Sequence, residues 1–149
     1  MNVIIELLEI GIMDNSQQQL IIDRLDIIDV FNRYATGVDK RNREVYRSCF
    51  TDELDVNITG ETTRHTADAW VDQAFSSLAS FAKTQHIITN HSVNISGDEA
   101  QAVAYLQAHH FNEGSKWSVW GDYSNTFIRT SEGWKIRSLT LAMEWHEVS

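Results

Sequence analysis

Apolar side chains at Leu20, Ile21, Leu25, Ile28, Phe31, Tyr34, Ala35 and Val38 recur every three or four residues, which predicts a long amphipathic helix early in the chain. Ser16 and Gln19 have the spacing of a capping box at its start, and Gly37 is its expected end. Asp39, Lys40, Arg41 and Asn42 form a polar joint before a shorter helical pattern through Val45, Tyr46, Cys49 and Phe50. The alternation of Leu54, Val56 and Ile58 reads as a short strand closed by Gly60. Ala67, Trp70, Val71, Ala74, Phe75 and Leu78 then supply a third helix.

From residue 84 the period falls from helical to two. Four strand-like stretches, near 84–95, 100–112, 116–130 and 134–146, are separated by the short Gly-containing turns SGDE, NEGS and SEG. Helices followed by hairpin-linked strands predict an α+β domain, with three N-terminal helices packed on one face of a curved antiparallel sheet. The chain has no proline, which suits long uninterrupted strands.

Composition narrows the partners. A length of 149 residues with 42% hydrophobic and 22% charged side chains fits one globular domain. A net charge of -9 without any basic run repels phosphate backbones, so no nucleic-acid partner is expected. Cys49 is the only cysteine, which excludes an internal disulfide and makes the cytoplasm the expected compartment; its place on an apolar stripe makes it a core residue rather than a nucleophile. The opening MNVIIELLEIGI lacks a basic flank, carries Glu6 and Glu9, and is too short to span a bilayer. Residues 1–13 are therefore expected to form an arm ahead of a domain over 14–149, with no membrane partner.

Several chemistries lack their residues. The glycines are scattered, so neither a phosphate-cradling loop nor a G-x-S-x-G elbow is present. Strand parity sends His109 and His110 to opposite faces and separates His86 from His91, so neither pair chelates; no metal and no cofactor are expected. Parity is more informative on the second long strand, where Ala102, Ala104, Leu106, Ala108 and His110 share one face. Three alanines there leave empty volume above the sheet, the usual origin of a small-molecule cavity, with Leu106 lining it and His110 as a polar group at its end. His110 also reads as a buried histidine satisfied by a backbone carbonyl. His86 shares its face with Thr84, Ile88 and Asn90, a mixed polar and apolar lining. Asp39, at a helix junction, has two readings: a cap or solvated junction residue, or a carboxylate that fixes the tautomer of a facing imidazole and stabilises its protonated form.

The order of these elements, the segments YATGVDKRN (34–42), TQHIITN (84–90) and GDYSNTFIRTSEGWKI (121–136), the paired histidines 109 and 110 and the late Trp145 resemble one known group. It is the SnoaL-like branch of the nuclear-transport-factor-two-like superfamily, and the resemblance runs from about Gln17 to Trp145. Within that branch the chain looks nearest to scytalone dehydratase and hexachlorocyclohexane dehydrochlorinase. The resemblance implies a cystatin-like, cone-shaped α+β barrel around a deep apolar pocket. It also implies a cofactor-free Asp39–His86 dyad that removes a proton from carbon, and His110, four residues after Leu106, as a further pocket histidine.

Departures from the pattern are equally specific. Tyr34 and Leu139 stand where the dehydrochlorinase has its chloride-receiving lysine and arginine, and Val38 and Ile58 stand where the dehydratase has two water-holding tyrosines. A retained base with altered substrate-polarising groups is implied, with Tyr34, Asn90 and Tyr123 as candidates for those groups and Val38, Ile58, Ile88 and Leu106 as apolar lining. The expected function is a dehydratase-like lyase or an isomerase acting on a small, largely apolar cyclic compound. The alternative is a non-catalytic ligand-binding or assembly module of the same fold. Trp117 and Trp120, expected on the outer sheet face, point to a homodimer or homotrimer.

Overall fold

Asp14, rather than Ser16, caps the first helix of the computed structural model, which describes residues 13–149. The Asp14 carboxylate accepts the Gln17 N–H at 2.8 Å, while the Gln17 side-chain oxygen accepts the Asp14 N–H at 3.2 Å. The capping box thus sits two residues earlier than expected, because a carboxylate is available there and Ser16 spends its own hydroxyl on Asp14. Helix α1 then runs over Asn15–Asp39, straight through Gly37. Gly37 is a contact residue, not a terminator: a Cβ there would lie 2.8 Å from the backbone nitrogen of Tyr46. Its bare backbone lets α2 (Arg43–Arg47) cross close by, with Asn42 as its cap. This helix is shorter than its apolar pattern, and Cys49 and Phe50 follow it as fully buried core residues.

The remaining elements are β1 (Phe50–Asn57), β2 (Thr63–Thr66), α3 (Ala67–Leu78), β3 (Lys83–Ser96), β4 (Glu99–Asn112), β5 (Ser115–Thr130) and β6 (Gly133–Val148). They form one six-stranded sheet in the order β2-β1-β6-β5-β4-β3. The four long strands make the expected antiparallel meander. Two features lay beyond sequence reasoning: β1 pairs parallel with β6, and the polar β2, TRHT, extends the sheet beyond β1. The architecture is a helix layer on a curved sheet, the cystatin-like α+β class.

The helices cover the inner face, where Ile27, Val30, Phe31 and Val38 of α1 join Phe50, Leu54, Phe127, Ile136 and Leu139 in the core. Each such side chain contributes about 1.5–3 kcal/mol on burial. At the far end of α1, the buried Asp23 accepts two hydrogen bonds from Arg129 on β5, at 2.6 and 2.8 Å, and one from the Trp134 indole at 3.1 Å. The opposite end of the helix, carrying Asp39, is delivered to the start of β3. Among the described residues no helix is long and apolar enough to cross a membrane. The expected N-terminal arm, apart from Met13, lies outside the described residues.

Candidate active site

Arg41 fixes the corner where the site begins. Its guanidinium donates to the carbonyl oxygens of Val38 and Leu78 at 3.0 and 3.1 Å and to the Thr84 hydroxyl at 3.2 Å, joining the ends of α1 and α3 to β3. Thr84 in turn donates its hydroxyl to Asp39 Oδ1 at 2.9 Å. The same Oδ1 lies 2.8 Å from Nδ1 of His86, and Oδ2 accepts the His86 backbone N–H at 2.7 Å. Burial works to raise the Asp39 pKa, but the hydrogen bonds from the His86 ring and backbone outweigh it, and the carboxyl is held below its ordinary value. It is therefore charged at neutral pH. With Nδ1 engaged by that carboxylate, the proton sits on Nδ1 in the neutral ring and Nε2 is left as the basic atom.

His86 lines a cavity of about 360 Å³ between the helices and the inner face of the sheet. Register explains which side chains reach it. His86 stands opposite Ala108 and Thr84 opposite His110, so the alanine-rich face of β4 forms the wall beside the dyad. His110 meets Phe81 and Trp117 with ring centroids 4.8 and 4.6 Å away, and the His86 ring edge-on at 5.7 Å. Burial, followed by the neighbouring His86, pushes the His110 pKa down to about 4. It is neutral at pH 7, and its buried Nδ1 has no hydrogen-bond partner among the described residues.

Of the residues expected in the site, His86, His110, Tyr34, Val38, Ile58, Leu106 and Tyr123 line this cavity, and Asp39 stands behind His86. Two do not. Asn90 is exposed, because a bulge between Thr89 and Ser92 breaks the alternation and turns Asn90 outward at a φ of 56°. Ile88 is on the expected face but packs against the core instead of lining the cavity. The same bulge brings His91 against Phe31, 5.1 Å between rings, so parity fails beyond Thr89. His109 faces away from the cavity and pairs with Ser118 at 2.8 Å.

Trp117 requires a correction as well: its register partner is His110, so it belongs to the inner face and lines the cavity, while Trp120 lies across from Trp145 on the other face. Sequence reasoning missed Tyr46 and Trp70, which also line the cavity. In the sequence both are stripe residues of amphipathic helices; the available signal is that each carries a polar atom on an otherwise apolar stripe. Among the described residues no group of three or more His, Cys, Asp or Glu gathers where a metal could be held.

Residues 19–140 match the SnoaL-like domain family. No curated protein matches the chain. Among solved structures, the Kfla4162 protein from Kribbella flavida is 30% identical, covering 85% of this chain and 93% of its own, with a TM-score of 0.80. A type 2 hexachlorocyclohexane dehydrochlorinase superposes with a TM-score of 0.80 at 21% identity over 89% of this chain and 93% of its own. A nuclear-transport-factor-two-like protein with a cystatin-like fold from Novosphingobium aromaticivorans gives 0.76 at 20% identity, over 90% and 92%. At those last two identities the likeness is one of fold.

Proposed function

The chain belongs to the SnoaL-like domain family, and we propose that it acts there as a cofactor-independent lyase, dehydratase-like, or isomerase on a small, largely apolar cyclic compound. The observation that carries this reading is the Asp39–His86 pair at the wall of a mostly apolar cavity. Nε2 of His86 takes a proton from a substrate carbon next to an electron-withdrawing group. Asp39 holds the ring in the reactive tautomer and stabilises the imidazolium that forms. In an elimination, the C–H electron pair becomes a new double bond as the bond to the leaving group on the adjacent carbon breaks. A departing hydroxide takes the proton from His86 and leaves as water, which restores the neutral base. In an isomerisation the same proton returns to a different carbon. His110, neutral at pH 7, serves as a hydrogen-bond donor to the departing or developing oxygen rather than as a charged acid.

The test is a turnover assay over hydroxylated, halogenated and keto cyclic compounds, with ligand titration of the same variants. His86→Ala is expected to lower turnover by about a hundred- to ten-thousand-fold with the fold and ligand affinity retained. Turnover that survives this substitution removes His86 as the base. Ligand binding without turnover by the wild-type protein favours the non-catalytic module.

A further inference from the structure

Neither Arg41 nor Thr84 lines the cavity, yet both are hydrogen-bonded into the pair that does the proposed chemistry. Arg41 holds a left-handed backbone at a φ of 55°, which a residue with a Cβ keeps only where its surroundings over-determine it. Here they do so through the guanidinium. It donates to the carbonyl oxygens of Val38, Leu78 and Phe81 at 3.0, 3.1 and 3.4 Å, and to the Thr84 hydroxyl at 3.2 Å. None of these partners is a carboxylate. The three carbonyls account for a joint that ties α1 to the end of α3. The bond to a hydroxyl is what that joint leaves unexplained.

A hydroxyl can donate or accept, but a guanidinium only donates, so Arg41 decides which way Thr84 points. With its oxygen taking the Arg41 N–H, the buried Thr84 turns its one proton to Asp39 Oδ1 at 2.9 Å. Asp39 also receives the His86 ring Nδ1–H and backbone N–H, at 2.8 and 2.7 Å. Three donors thus converge on the carboxylate, and it acts only as an acceptor, that is, as an anion. Burial pushes its pKa up, the His86 bonds pull it down, and the Thr84 hydroxyl adds to that pull. The Arg41 charge reaches further still. At His110, where burial and then His86 do most to lower the pKa, Arg41 adds to the depression. The other titratable groups around the pair do not compete for Asp39. Lys40 and Lys83 are exposed, His110 is neutral at pH 7, and burial above all pushes the Tyr123 phenol well up.

We propose that Arg41 and Thr84 are positioning residues of the dyad: Arg41 sets the direction of the Thr84 hydroxyl, and that hydroxyl holds Asp39 as the fixed, charged acceptor of the His86 Nδ1 proton. This deepens the lyase or isomerase reading and rests on it. An Asp39 that took a proton would release Nδ1 and leave the ring free to carry its own proton on Nε2, the atom that must be bare to attack carbon. The danger is greatest during the reaction, when the imidazolium presses its Nδ1 proton on the carboxylate. A second donor already seated on Oδ1, backed by a cation, opposes that transfer. The proton taken from carbon then stays on Nε2, Nδ1 keeps its own, and Asp39 remains the counter-charge. Both donors are in place before the reaction and need not reorganise.

The test is NMR on the full chain without ligand, titrating the Asp39 carboxyl carbon with pH. In the wild type the Thr84 hydroxyl proton should be protected from exchange and show an Overhauser contact with the His86 Nδ1 proton, a reading that needs no variant. Thr84→Val, which keeps the shape and removes the hydroxyl, should raise the Asp39 midpoint, and Thr84→Ser should return it. Arg41→Gln should raise it too, but in the double variant the midpoint should rise no further than in Thr84→Val alone, because Arg41 acts through that hydroxyl. Melting curves show which variants are folded. Where Arg41→Gln is not, Arg41→Lys, which keeps the charge but not the fork of donors, takes its place in the same comparison. On any substrate found in the turnover assay, Thr84→Val should lower kcat about tenfold at unchanged KM, the scale of one hydrogen bond to a charged group, and Thr84→Ser should recover it. The titration needs no turnover, so a failed base assignment in His86→Ala and a failed chain behind Asp39 give different results. An exchanging Thr84 hydroxyl, an Asp39 midpoint unmoved by Thr84→Val, fully additive rises in the double variant, or wild-type kcat in Thr84→Val overturns the proposal.

Discussion

Asp39 grips His86 with both carboxylate oxygens, taking the ring Nδ1 at 2.8 Å on Oδ1 and the backbone N–H at 2.7 Å on Oδ2. One contact fixes the tautomer; the other fixes the strand that carries the ring. The carboxylate therefore acts on position and on charge at once, and the two effects can be separated by substitution.

Asp39→Asn is nearly isosteric and its side-chain oxygen can still accept, but it removes the charge that stabilises the imidazolium and can turn an N–H toward Nδ1. Turnover is expected to fall by about a hundred- to ten-thousand-fold, with the greater part of the loss in kcat. Full pH profiles of Asp39→Asn and wild type make the check. A variant with wild-type kcat would show that the carboxylate is only structural.

Much of this site was legible because it lies on regular elements. The helical period of α1 places Tyr34 and Val38, and the strand period of β4 places Leu106 and His110; Asp39, read as part of a polar joint beyond the helix, comes to the site through the family resemblance, and the helix in fact runs on to include it. Legibility ended where the backbone stops being regular. The bulge at Asn90 reversed the expected direction of Asn90 and His91, and period-two reading has no means of locating an extra residue. Trp117 was misassigned because its face follows from pairing with His110, and register is a tertiary property. Tyr46 and Trp70 were hidden for another reason: an aromatic on an apolar stripe looks the same whether it meets the core or a cavity.

His110 predicts acid sensitivity. Its pKa falls from an ordinary 6.5 to about 4 in the fold, so between those values the unfolded chain binds more protons than the native one. Stability is therefore complete above about pH 6.5 and is lost as the pH drops toward 4, by up to about 3 kcal/mol from this group. His91, whose pKa burial also lowers, adds to the same trend. Denaturant unfolding at stepped pH should show a shallower slope in His110→Gln than in wild type across this window. Equal slopes would mean that His110 is not the group responsible.

Gly37→Ala tests the crossing of α1 and α2. Alanine gains about 1 kcal/mol in intrinsic helix propensity over glycine. Against this, the new methyl would meet the Tyr46 backbone at 2.8 and 2.9 Å, and backbone atoms cannot swing aside as a flexible side chain does. The clash wins, and a net loss of about 1–2 kcal/mol is expected, with a lower melting temperature.

The outer sheet face leaves Ile87, Val103, Tyr105 and Trp145 exposed, the last two at 57% and 65%. Apolar area on this scale suits cover by a second copy, and a homodimer or homotrimer is the expected state in solution. Light scattering at several concentrations measures it, and Val103→Lys with Tyr105→Lys should shift the population toward monomer. A wild-type monomer at high concentration would refute the assignment.

Asp23 should separate stability from chemistry. Its buried carboxylate is held by Arg129, Trp134 and Gln19, and the Arg129 hydrogen bonds draw its pKa far below the ordinary value despite the opposing effect of burial. Asp23→Asn keeps the shape but leaves the Arg129 guanidinium, 32% exposed, without its closest counter-charge. A fully buried pair broken this way costs about 3–5 kcal/mol; partial solvation of Arg129 and its remaining bond to Asp98 reduce the expected loss to about 2–3 kcal/mol. Because the native pKa is depressed, this contribution is present above about pH 4 and disappears only as the pH falls further, below the window assigned to His110. Asp23 and Asp39 are separated by 16 helical residues, about 24 Å along α1. The variant should therefore melt lower while its turnover, measured well below the melting point, matches wild type. A loss of turnover at full folding would mean that the far end of α1 does control the position of Asp39.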